Sequence, residues 1–172
     1  MIVTDILFDA FFAAIAGIGF GAISDPPLKS FPSIAILASL GHATRFCFMH
    51  YAGLDIASAS IIGALVIGFG SFIAGGIIRC PMTVLSIPSL LPMVPGIFAY
   101  KTILSLIMFL SSSAQLELGV PHLQMFWSNF LVSFTTTFNL AIGAILPHFI
   151  FREKALSLTR KHQQKRNNVS IN

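Results

Sequence analysis

Charged side chains are scarce in this chain, so the few that interrupt its apolar stretches are the first place to look for chemistry. Only 9% of the 172 residues are Asp, Glu, Lys or Arg, against about 25% in a soluble domain. Six of the ten Lys and Arg follow residue 151, and Lys29 and Arg79 fall between apolar segments. That leaves Arg45 and Lys101 within apolar sequence. Arg45 closes the stretch Gly41-His42-Ala43-Thr44-Arg45. His42 and Arg45 are three apart, so on a helix they share a face, and His50 lies close to the same face. An arginine at the centre of a membrane helix costs about 2.5–3.5 kcal/mol on insertion scales. Ionisable groups that persist there face a bundle interior, a partner or water. The bodies of the later spans hold no carboxylate, which leaves Asp5 and Asp9 as the acids of this chain positioned to reach Arg45. Otherwise a carboxylate ligand or a second subunit neutralises the guanidinium, or the side chain snorkels to the interface. His42 is either a packing histidine or a group that couples proton movement to transport.

The second chemical feature is backbone. Residues Ile87 to Lys101 hold Pro88, Pro92, Pro95 and Gly96 in an otherwise apolar run. Proline lacks an N–H and disfavours helix at the residue before it, and glycine tolerates backbone shapes closed to other residues. An interrupted span is therefore expected between Val84 and Leu110. Irregular backbone at membrane depth survives only where it is buried in protein or lines a wet cavity. A half-helix beginning at Pro95-Gly96 would aim a positive dipole end at an anion, with Lys101 about one turn further on. A kinked structural helix is the alternative.

The elements that must hold these groups are membrane spans. With 55% hydrophobic residues and a mean hydropathy of +0.86, the composition is that of an all-α integral membrane protein. Five transmembrane segments are expected, over 6–23, 32–51, 57–78, 83–110 and 125–151, the fourth broken at a Pro-Gly hairpin. Residues 1–151 form the transmembrane domain, and 152–172 a basic, flexible cytoplasmic tail. Residues 111–124 read as a polar loop. The N-terminus has no basic region ahead of its apolar run, so the first segment is read as a retained span rather than a signal peptide. Ala13, Gly17 and Gly21, and the glycines of the third segment, read as close helix packing. The last segment carries Asn129, Ser133 and Thr137 at four-residue spacing, with Thr135, Thr136 and Asn139 beside them. That row is either interhelical hydrogen-bond glue or the lining of a polar path.

Loop charge sets the expected orientation. With five spans, eight Lys and Arg lie on one face of the membrane and none in the loops of the other. The positive-inside rule then places the C-terminus in the cytoplasm and the N-terminus outside. The pI near 9.4 comes mostly from the tail, so no nucleic-acid binding is expected. Cys47 and Cys80 imply no disulfide framework. Protease, esterase, phosphate-loop and metal-cluster motifs are missing, so neither enzyme activity nor a metal or cofactor is expected.

Gly41-His42-x-x-Arg45, a glycine-rich span, Pro88-x-x-x-Pro92-x-x-Pro95-Gly96-x-x-x-Tyr100 and a polar last span together resemble the threonine/serine exporter family (ThrE-like). The likeness covers about residues 6–151. It is greatest to the short membrane subunit of that family's two-component systems. The resemblance implies a five-span transporter half in a bacterial inner membrane. It also implies a second, longer membrane subunit with a soluble N-terminal part. Its implied activity is secondary export of small carboxylate-bearing metabolites, whether threonine/serine-type amino acids or a dicarboxylate such as succinate. Sequence and resemblance together select Arg45, His42, Pro95, Gly96, Tyr100, Lys101 and Asn129 as substrate-binding candidates. Two other readings stay open: a non-transporting assembly subunit, and a small homo-oligomeric channel lined near Arg45.

Overall fold

A computed structural model describes residues 2–112 and 116–151. Six helices follow one another: α1 (Ile2–Ile23), α2 (Phe31–Tyr51), α3 (Ile56–Ile78), α4 (Met82–Leu90), α5 (Gly96–Ser111) and α6 (Leu116–Ile150). Single 3-10 turns at Leu28–Ser30 and Leu91–Met93 lead into α2 and out of α4. The basic tail lies outside the described residues.

Small residues let the helices approach closely. A Cβ on Gly17 of α1 would stand 2.9 Å from the Ala38 Cβ of α2, and one on Gly63 of α3 would stand 2.8 Å from the Gly41 carbonyl of α2. A Cβ on Gly143 of α6 would meet Ala64 of α3 at 2.5 Å. Such contacts replace the hydrophobic drive that lipid cannot supply between apolar helices. α1, α2, α3 and α4 form one packed group, α6 packs on α3, and α5 packs on α6.

Two ends of α3 explain why it starts and stops. The Asp55 carboxylate accepts from the Ala57 and Ser58 amides at 3.0 and 3.1 Å, a standard N-cap. At the other end Arg79 takes a left-handed conformation, with φ of 55°, and the Cys80 amide reaches the Gly75 carbonyl at 3.0 Å.

α6 differs from the sequence expectation. It begins at Leu116, about nine residues early, and takes in Gly119, Pro121 and Gln124, which read as loop. One proline removes a single helical bond, whereas the packing of α5 along this part of α6, with Phe109 facing Gly119, rewards the helical form. α6 also runs in the same direction as α3: Asn139 meets Ala57, Gly143 meets Ala64 and Phe151 stacks on Phe72. Its half before Asn139 therefore precedes the start of α3 and has α5 as its companion. At 1.5 Å per residue its 35 residues reach about 52 Å, well beyond a hydrocarbon core of about 30 Å.

Among the described residues, α1 from Thr4, α3 and α6 from Gly119 are each long and apolar enough to cross a membrane. The pair Met82–Met93 and Gly96–Ser111 qualifies together but bends by 54° at its break. That angle is a bend rather than a hairpin. α2 has the length, but His42, Arg45 and His50 dilute its apolar character. The chain is an all-α, multi-pass membrane protein.

Candidate functional site

The interruption is built from three local choices. Pro88 stays inside α4, where Ser89 Oγ lies 2.7 Å from the Leu85 carbonyl and 3.1 Å from the Ile34 carbonyl of α2, sharing its one proton. Pro92 then opens the 3-10 turn, closed by the Val94 amide on the Leu91 carbonyl at 3.1 Å. At Pro95, φ of −80° and ψ of 65° form an inverse γ-turn, and the Gly96 amide bonds the Val94 carbonyl at 2.8 Å. α5 starts there.

Gly96 itself is used differently from the expectation. Its φ lies outside the left-handed region, which among the described glycines only Gly53 occupies. A Cβ at Gly96 would meet nothing within 4 Å. What the glycine provides is bare space at the start of α5. The donors there are partly spent: the Phe98 and Ala99 amides turn to the Pro95 carbonyl at 3.1 and 3.3 Å. The helix end contributes its dipole more than a nest of open amides.

Arg45 attends the interruption from α2. Its Nη1 donates to the Met93 carbonyl at 3.0 Å, one of the acceptors that the broken helix frees. Met93 is fully buried, and its side chain fits because Gly63 lacks a Cβ, which would stand 2.7 Å from Met93 Cε. One turn back along α2, His42 Nδ1 lies 3.1 Å from Asp9 Oδ2 of α1. Ser39 Oγ donates to the Ala10 carbonyl at 2.9 Å and fixes the register of that pair. Asp9 also acts electrostatically on Arg45. The site thus gathers an anion, an imidazole, a guanidinium and an interrupted backbone in the space between α1, α2 and the end of α4.

The structure brings together His42, Arg45 and the segment leading to Pro95 and Gly96. It places the other sequence-selected residues elsewhere. Tyr100 is 62% exposed on α5, and Lys101 is exposed beside it. Asn129 turns its amide to the Met125 carbonyl of its own helix at 2.7 Å. Asn139 instead crosses to α3, donating to the Ala57 carbonyl at 3.0 Å. Thr135 and Thr137 bond back along α6, and Thr136 is buried with its hydroxyl unpartnered. His50 stacks on Phe46 at 5.9 Å, away from the His42 pair. Asp9 joins the site through His42, its side-chain hydrogen-bond partner. The Met93 carbonyl carries no side-chain signal at all. Among the described residues no cluster of His, Cys, Asp or Glu suited to a metal ion occurs.

The fold defines a multi-pass, all-α membrane protein, and comparison with known proteins gives the family. The family model described as "Threonine/Serine exporter, ThrE" matches residues 9–150. The chain belongs to the threonine/serine exporter family. An uncharacterised protein of Haemophilus influenzae is 35% identical over 103 residues, which cover 59% of this chain and 34% of that protein. The chain therefore matches about a third of the length of this curated relative. No solved structure matches.

Proposed function

We propose that this chain is the membrane subunit of a secondary transporter that exports small carboxylate-bearing metabolites. It works in a bacterial inner membrane with a second, longer subunit of the same family. The observation that carries the reading is the Arg45–Met93 bond. A guanidinium has five donors. One of them rests on a neutral carbonyl at the break, and a carboxylate would bind it more strongly in a charge-assisted, bidentate pair. The α5 dipole adds favourable potential beside it. Tyr100, Lys101 and Asn129, which lie outside this cluster, are assigned to a later stage of the substrate path.

In this reading α2 crosses the bilayer with its charged face turned inward, and α4 and α5 act as one broken span. The N-terminus lies outside and the C-terminus in the cytoplasm. The second subunit is proposed from the family resemblance.

Export assays in cells carrying both subunits test the assignment. Arg45→Ala and Gly96→Leu are expected to abolish export while the protein stays in the membrane at its normal level. A Cβ at Gly96 meets nothing within 4 Å, and the level of protein in the membrane separates occlusion from misfolding. Wild-type export by both variants would remove these residues from the substrate path.

A further inference from the structure

Resting on the carboxylate reading above, we propose that Asp9, His42 and Arg45 form a proton-linked anion site, in which His42 takes up a proton when a net anion binds Arg45. An ionised Asp9 can only accept, so the imidazole Nδ1 beside it at 3.1 Å carries the hydrogen. Nε2 is then a bare lone pair. It is buried without a hydrogen-bond partner, on a residue only 7% exposed. A lone acceptor kept from water is costly, and a proton or a ligand donor relieves it.

The surroundings fix the charge count. α1 brings Asp9, with Asp5 one turn earlier, and α2 itself brings Arg45, with Cys47, His50 and Tyr51 further on. The Leu28–Ser30 turn carries Lys29 at the far end of α2. α3 and the segment Met82–Met93 hold no titratable side chain. With His42 neutral, Asp9 and Arg45 cancel. A carboxylate alone leaves one negative charge, and a proton alone leaves one positive charge. Both together restore neutrality. In a site poor in water, unbalanced charge is disfavoured, so proton and anion bind together. A zwitterion brings its own ammonium, which can approach Asp9, and needs no proton. The site therefore distinguishes the two substrate classes by proton count.

The test uses L-threonine and its deaminated counterpart, 3-hydroxybutyrate, which differ in the ammonium group. Calorimetric titration of the chain together with its second subunit in lipid nanodiscs, in two buffers of different ionisation enthalpy, counts protons at pH 8. The expected result is about one proton taken up with 3-hydroxybutyrate, whose Kd rises about tenfold per pH unit there, and none with threonine. His42→Gln is expected to remove the uptake while 3-hydroxybutyrate still binds. The wild-type count needs no variant, so a misfolded His42→Gln would not protect the idea. Binding of the anion without proton uptake, or equal uptake by His42→Gln, would overturn the proton link alone. If neither compound binds the wild type, the carboxylate site itself falls.

Discussion

At the scale of single residues, two glycines do opposite work. Gly63 is where α2, α3 and Met93 meet, and an added methyl would press on Met93 Cε and the Gly41 carbonyl. Gly96 faces open space with an ordinary backbone. Gly63→Ala is therefore expected to destabilise the fold by about 1–3 kcal/mol through overpacking, and Gly96→Ala to stay within about 0.5 kcal/mol of wild type. Unfolding in mixed micelles measures both. Asn139→Leu removes the bond to the Ala57 carbonyl and is expected to cost about 0.6–2 kcal/mol in the same assay. Asp55 gives a pH signature. Hydrogen bonds from Ser58, first through its side chain, hold the Asp55 carboxyl below the usual carboxylate range. A depressed folded value means the cap is fully present above the unfolded value and is lost as pH falls through the folded one. Protection of the Ala57 and Ser58 amides, relative to their intrinsic exchange rates, should fall in that acid window, and Asp55→Ala should show the lower protection at neutral pH.

At the scale of elements, the interruption between α4 and α5 rests on Arg45 as much as on its prolines. Pro92 and Pro95 free carbonyls, and Arg45 satisfies the one on Met93. Without that donor the carbonyl is left unpartnered and the bend loses its brace. Spin labels at Ile87 and Ile107, both 55% exposed, report the relation of the two halves. Wild type should give a narrow distance distribution and Arg45→Leu a broad one. An unchanged distribution would show that the prolines hold the bend alone. The sequence made the prolines legible because proline acts locally, through a missing donor. It left the bend's size and brace unread, because both depend on what α2 places opposite. The same limit applies to Asn129 and Asn139. They look alike in sequence, yet one folds onto its own helix and the other crosses to α3, a difference set by the parallel register of α3 and α6.

At the scale of the whole molecule, the all-α membrane class followed from composition, because an apolar run of bilayer length has few other fates. The extent of α6 did not. Gly119 and Pro121 carry loop chemistry locally, and only packing against α5 makes the region helical. The result is a bundle of α1 to α4 from which α5 and the first half of α6 diverge. Orientation is tested by single cysteines at Ser24 and Leu54, in a background lacking Cys47 and Cys80. An impermeant thiol reagent added outside intact cells is expected to label Leu54→Cys and spare Ser24→Cys.

The central claim is that Arg45 exchanges the Met93 carbonyl for a ligand carboxylate. Dipolar recoupling between a ¹³C-carboxylate ligand and ¹⁵N-arginine protein in membranes measures this directly, with Arg45→Lys removing the signal to be assigned. The account predicts a contact within about 4 Å, the range of an ion pair, that vanishes in the Arg45→Lys protein. A bound ligand with no dephasing from Arg45, and Arg45 still on the Met93 carbonyl, would contradict it.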